Sequence, residues 1–156
     1  MIKIVEGDLL SVKEGIIGHQ VNCQGVMGSG VAFQVKRRYP SAFTSYKMYI
    51  DDFVNMNVRD SLLGTINFVE VKEEKLWIAN MFGQDEYGSG KQFTNTEKLY
   101  LCFKELREVA EERGLSVHLP YMIGCYRGGA DWKEVENLLL IAFRGYEVTL
   151  HKYHEG

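Results

Sequence analysis

Proline is nearly missing from this chain, with only Pro40 and Pro120 among 156 residues, and aromatics stand at an ordinary 12%. That composition excludes a proline-rich or low-complexity polymer and leaves no stretch that reads as an interdomain linker. Basic residues are in the minority, 18 against 21 acidic, for a formal net charge of -3. A long nucleic acid has no electrostatic footprint to follow, although an isolated nucleotide is still accommodated. Cysteine is sparse and odd in number, with Cys23, Cys102 and Cys125 far apart. Free thiols in a reducing compartment fit that pattern better than a disulfide framework, and the spacing of a zinc site is absent. No apolar run approaches the roughly 18 residues of a membrane span, and Met1 to Val5 meets Glu6 and Asp8 too soon to be a secretory leader. The expectation is a soluble, cytoplasmic, monomeric protein with no metal and no cofactor. What is present is a 46% hydrophobic content. It is enough to supply one sizeable core, so residues 1–156 are expected to form a single unit.

Ile2 to Glu6 alternates apolar and polar residues, and Ile16 to Asn22 is a short apolar run opening onto glycines; both read as strands. Val31 to Tyr39 permits a helix stopped by Pro40, and Ser41 can cap another that runs to about Phe53. Thr65 to Val71 and Leu76 to Met81, joined by Lys72-Glu73-Glu74-Lys75, give a hairpin. Thr94 opens a long amphipathic helix with Leu99, Cys102, Phe103, Leu106 and Ala110 on one face and Gly114 at its end. A strand at Ser116 to Leu119 ends at Pro120, a helix runs from Asp131 through Phe143, and Glu147 to His151 is the last strand. The sum is an α/β chain with a mixed central sheet and helices on both faces.

Two glycine loops lie where strands hand over to helices. Asn22 to Gly30 follows the second strand; Ile123 to Ala130 follows the strand that ends at Pro120. Backbone N–H groups and a helix dipole at such a junction attract phosphate, and glycine removes the Cβ that would hold a ligand off the backbone. Either loop alone reads equally well as an empty turn. Two together favour a pyrophosphate. No Gly-Lys-Ser/Thr triplet follows either loop, and Gly25-Val26-Met27-Gly28 misses the dinucleotide fingerprint, which disfavours a standard nucleotide hydrolase or dehydrogenase.

With Gly7-Asp8-Leu9-Leu10, His19 to Gly25, Met27-Gly28-Ser29-Gly30-Val31-Ala32, Tyr39-Pro40 and Pro120 to Trp132 in view, the chain resembles the macrodomains, which bind ADP-ribose. The resemblance covers nearly the whole chain and implies a three-layer α/β/α fold. Its nearest likeness is to the branch of phosphatases acting on ADP-ribose 1''-phosphate and glycohydrolases acting on glutamate-linked ADP-ribose. It implies that Asp8 accepts a hydrogen bond from the adenine amino group, with Leu9 offering its backbone. The Asn22 amide is expected on the distal ribose hydroxyls. Gly28, Ser29, Gly30 and Val31 are expected to face the distal ribose and phosphate, with Phe82 shaping the ribose pocket or belonging to the core. Gly124, Cys125, Tyr126, Arg127 and Gly128 would wrap the pyrophosphate, and His151 or Tyr153 would stand near adenine.

His19 is the catalytic candidate, because the phosphatases of that branch carry histidine at the matching place and an imidazole can relay a proton near neutrality. The alternative is a strand histidine that orients Asn22 or the loop backbone. His118 falls within a strand and His154 in the tail. Cys23 reads as a small buried side chain rather than a nucleophile. The branch's glycohydrolases use a lysine and a loop aspartate, whereas this chain has Asn80 to Asp85 with no lysine before Lys91, and Gly128 at the aspartate's place. Asp131, the nearest acid, is expected to be a helix cap. Three readings follow from the resemblance. One is phosphate release from ADP-ribose 1''-phosphate, one is removal of ADP-ribose from protein or nucleic acid, and one is a non-catalytic reader of ADP-ribose or of macromolecules that carry it.

Overall fold

The computed structural model describes residues 1–153, so His154 lies outside the described residues. Six strands form one sheet: β1 (Ile2–Glu6), β2 (Gly15–Val21), β3 (Ile66–Lys72), β4 (Leu76–Phe82), β5 (Val117–Pro120) and β6 (Val148–Lys152). Their order across the sheet is β1-β6-β5-β2-β4-β3. Every neighbouring pair is parallel except the β3–β4 hairpin. Parallel pairing sends the carboxyl ends of β1, β6, β5, β2 and β4 to one edge, from which the connections after β1, β2, β4 and β5 leave. β2 is buried along its length apart from Gln20, as a central strand covered on both faces must be.

One face carries α1 (Gly30–Arg38) and α2 (Pro40–Asn55), which pack on β2, β3 and β4. The other carries α3 (Thr96–Arg113) and α4 (Trp132–Ala142), whose Leu99, Phe103, Leu106, Val135 and Leu139 join Leu119, Val148 and Leu150 in the main core. These layers give the expected α/β/α architecture. No helix of the described residues is long and apolar enough to cross a membrane.

Helix starts differ from expectation for local reasons. Pro40 does not only stop α1: it is the first residue of α2, a position that needs no N–H and suits a fixed φ, so Tyr39 rather than Ser41 occupies the N-cap. Asn95, not Thr94, caps α3 by accepting from the Lys98 N–H at 3.1 Å. Asp131 does occupy the N-cap of α4 but makes no side-chain cap hydrogen bond. Gly114 closes α3 in the left-handed conformation at φ 68°, as glycine there should.

Candidate ligand cleft

Asn22 shapes the loop after β2 from within. Its Nδ2 donates to the Val26 carbonyl at 2.8 Å, and its Oδ1 accepts from Gln24 N at 3.0 Å and from the Tyr46 hydroxyl at 2.9 Å. The residue is buried and its amide holds the fold of the loop. The next dipeptide is clamped to the loop after β4: Cys23 N donates to Asp85 O at 2.9 Å, and Gln24 Nε2 to the Asp85 carboxylate at 3.1 Å. Arg59 donates both to Cys23 O at 3.0 Å and to that carboxylate at 3.3 Å. Burial, aided by the Asp85 charge, pushes the Cys23 thiol up to about 12, so no thiolate is available for attack.

Beyond Val26 the loop opens. Gly28, Ser29, Gly30 and Val31 are exposed. Ser29 stands at the N-cap of α1 without a side-chain cap bond, leaving the first-turn N–H groups free for an anion. Gly30 holds φ 60° with open space where a Cβ would project, so a ligand can approach the backbone closely.

The loop after β5 is held from behind. Gly124 O accepts from Ala130 N at 3.1 Å and from the Thr94 hydroxyl at 2.8 Å, while Gly128 O accepts from Phe93 N at 2.7 Å and Thr94 N at 2.9 Å. Among the described residues the N–H groups of Tyr126, Arg127 and Gly128 have no protein acceptor. Tyr126 and Arg127 are exposed, and Cys125 is half-buried with its thiol raised to about 11 by burial. Gly128 is glycine for a steric reason: a Cβ there would overlap the Thr94 hydroxyl and lie 2.5 Å from Gly124 O and 3.0 Å from Gln20 Nε2. An aspartate does not fit this position without moving Thr94.

Gln20, Gln84 and Thr94, none of them singled out from the sequence as a site residue, tie the loop after β5 to β2 and to the segment after β4. Gln20 Nε2 donates to Gln84 Oε1 at 2.6 Å and to Thr94 Oγ1 at 2.8 Å. Their one visible signal was a glutamine inside an otherwise buried strand.

His19 is 1% exposed and lies on the face beneath α2. Its Nε2–H donates to Asn80 Oδ1 at 2.6 Å; Asn80 Nδ2 in turn donates to Ala42 O at 3.1 Å and to Asn67 Oδ1 at 3.0 Å. These three side chains stand level on adjacent strands, since His19 pairs with Asn80 and Asn80 with Asn67. Burial lowers the imidazole to about 4, only partly offset by the Asn80 bond, so the ring is neutral at physiological pH. It orients Asn80 and, through it, α2, and among the described residues no hydrogen bond joins it to Asn22. Phe82 is likewise enclosed, stacked between Tyr46 and Tyr49 at centroid distances of 5.6 and 5.4 Å, and so belongs to the core.

At the other end of the edge, exposed Asp8 accepts from Leu10 N at 2.9 Å and so caps the turn Leu9–Ser11, while the Leu9 side chain is buried. A depression of about 460 Å³ bordered by Asp8, Leu10, Ser11, Gln34, Arg37 and Arg38 adjoins it, sharing only Asp8 with the expected site. His151 sits half-buried near the end of β6, hydrogen-bonded to His118 on β5 at 2.8 Å, and Tyr153 beyond it is exposed.

Against known proteins, the profile of the Macro domain family matches residues 19–139. A DNA ADP-ribosyl glycohydrolase of Mycobacterium tuberculosis is 31% identical over 92% of this chain and 39% of its own length, so the chain spans about two fifths of that relative. An ADP-ribose 1''-phosphate phosphatase of Meyerozyma guilliermondii is 28% identical, covering 97% of both chains. Among solved structures, the macrodomain of Mycobacterium tuberculosis DarG superposes with a TM-score of 0.80 at 28% identity, over 97% of each chain.

Proposed function

The chain belongs to the Macro domain family, and on that premise we propose that it binds ADP-ribose along the carboxyl edge of its sheet and hydrolyses a linkage at the distal ribose. One observation carries the reading. Two glycine loops with unpaired N–H groups, one at the start of α1 and one after β5, open at the same edge of the sheet, the second tied to β2 through Thr94 and Gln20. Such paired cradles suit a pyrophosphate, with Gly28 to Val31 on one side and Gly124 to Gly128 on the other. Asp8 remains the residue for the base. Relatives named for two different leaving groups, a phosphate and a nucleic acid, cover most of this chain. Release of phosphate from ADP-ribose 1''-phosphate is the first reaction to test, carried by water oriented between the loops, with His19 holding the scaffold in place of a proton relay. The free thiols of Cys23, Cys102 and Cys125 favour a cytoplasmic setting.

The second reading, a non-catalytic reader of ADP-ribose or of ADP-ribosylated protein or nucleic acid, is favoured by the burial of His19 and by glycine at position 128. A calorimetric titration with ADP-ribose and AMP, followed by product analysis on ADP-ribose 1''-phosphate and ADP-ribosylated protein and DNA, separates these outcomes. Equal affinity for AMP and ADP-ribose refutes the binding mode; tight ADP-ribose binding with no product from any substrate leaves the reader.

A further inference from the structure

The loop after β2 is held at two levels. On its inner side the Tyr46 hydroxyl lies 2.7 Å from Asn22 O and accepts from Gly25 N at 3.1 Å. Across its outer side Gln24, Arg59 and Asp85 form a clasp that the reading above leaves unused. Arg59 Nη2 gives one hydrogen to Cys23 O and the other to the Asp85 carboxylate. Gln24 Nε2 reaches the same aspartate at its carbonyl, 3.2 Å away, and at its carboxylate, and Cys23 N donates to Asp85 O. The backbone donor and acceptor of Cys23 are therefore both satisfied by the clasp. Its two outer residues stand on fixed ground. Arg59 opens the short turn Arg59–Ser61 between α2 and β3, which leads into Leu62, fully buried in one cluster with Cys23, Met27, Tyr46 and Phe82. Asp85 follows Gln84, which is bonded to Gln20.

We propose that Gln24, Arg59 and Asp85 are positioning residues for the distal ribose: their clasp fixes Cys23 and Gln24 against the segment after β4, and so sets the ribose end of the cleft separately from the diphosphate end. The proposal rests on the reading that ADP-ribose lies along this edge with its distal ribose against the loop after β2. The division follows from what anchors each part. Gly28 to Val31 are held by buried Met27 on one side and by the first turn of α1 on the other. Gly124 to Gly128 are held through Thr94 and Gln20. Among the described residues no hydrogen bond of the clasp reaches either group. Opening the clasp frees Cys23 and Gln24 and leaves those other anchors in place.

The Arg59–Asp85 pair is half-exposed, so its charge attraction adds little to stability by itself. Its effect is geometric. A planar guanidinium directs two hydrogens from one nitrogen and holds Cys23 O and the Asp85 carboxylate at a set spacing, which a freely turning ammonium does not impose. Both charges also act on the Cys23 thiol, Asp85 raising it and Arg59 lowering it, so Cys23 lies where it can report on the clasp. With the clasp closed the residue is 3% exposed, and a thiol so enclosed resists alkylation until the loop opens.

The test titrates wild type, Arg59→Ala, Asp85→Ala and the double variant with ADP-ribose and with ADP, using melting temperature as the folding control. ADP carries the base and the diphosphate without the distal ribose, so a merely structural role moves both affinities alike. Each single variant is expected to lower ADP-ribose affinity about tenfold and ADP affinity by less than about twofold. The double variant should lose no more than the worse single one, because both substitutions open the same clasp. Maleimide labelling at Cys23, read by peptide mass, should quicken about tenfold or more in either single variant. Equal losses for ADP and ADP-ribose, an unchanged ADP-ribose affinity, losses that multiply in the double variant, or an unchanged labelling rate overturns the proposal while ADP-ribose binding stands. Failure of wild type to bind ADP-ribose, or binding of ADP as tight as that of ADP-ribose, overturns the reading of the cleft itself, and this one with it.

Discussion

Replacing Gly128 by alanine tests the tie between the loop after β5 and β2. The new Cβ would overlap the Thr94 hydroxyl and lie 2.5 Å from Gly124 O, the backbone atom to which that hydroxyl donates. Thr94 must turn away, which breaks the bonds to Gly124 O and from Gln20 Nε2, and the Gly124 backbone must shift as well. Two hydrogen bonds at about 1 kcal/mol each, plus some overpacking, amount to about 2 to 4 kcal/mol of destabilisation. In a domain of this size that lowers the melting temperature by about 5 to 12 °C. ADP-ribose affinity is expected to fall about tenfold as the N–H groups of residues 126–128 lose their alignment. Gly28→Ala is the control, because the nearest atom to its Cβ is Val26 Cγ1 at 3.4 Å and its φ is not positive, so stability should change by less than about 0.5 kcal/mol. Thermal melts with calorimetric titration of both variants decide the matter. If Gly128→Ala melts within about 2 °C of wild type, the steric argument is wrong.

Asp8→Ala should weaken ADP-ribose binding by about 1 to 3 kcal/mol through the lost acceptor, and cost about 1 kcal/mol of stability because Leu10 N loses its cap; an unchanged dissociation constant would confine Asp8 to the turn. His19→Ala strips Asn80 of its donor inside the core, so melting temperature, affinity and single-turnover rate should drop together, whereas a rate loss of about 10²-fold with affinity and melting temperature intact would restore the proton relay. Because His19 is held neutral at about 4 against an ordinary 6.5, the unfolded chain binds more protons in that window, and stability falls as pH drops from 6.5 towards 4. Its share is about 3 kcal/mol, and a pH series of melts should show a shallower decline in His19→Gln.

The parts of the fold written in local periodicity were legible in the sequence. The β3–β4 hairpin and the buried stripe of α3 follow from residues a few positions apart, and Gly114 announces its own turn. Helix starts were displaced by a residue or two because tertiary contacts chose among adjacent candidates: Thr94 was drawn to Gly124 O, which left the cap to Asn95. His19 and Phe82 each kept two readings in the sequence for a different reason. β2 and β4 are covered on both faces, so alternation carries no sign of which side chain meets solvent. The His118–His151 contact was out of reach altogether, since it exists only because β6 pairs beside β5. The glycine loops were legible as open strand-to-helix turns, yet nothing local revealed that Asn22 is hydrogen-bonded by Tyr46, a residue of α2.

Gln84 and Thr94 face each other as an isolated antiparallel bridge, and both are fastened to Gln20. Residues 85–92 therefore leave and re-enter the body through a closed neck, and nearly all of that stretch is exposed. A segment so tied at its base can change length or composition at small entropic cost, since closure entropy grows only with the logarithm of loop size. It behaves as an interchangeable cassette whose one clasp to the ribose side is Asp85. Insertion or substitution there leaves in place the hydrogen bonds of Gln20, Gln84 and Thr94, which lie below the neck.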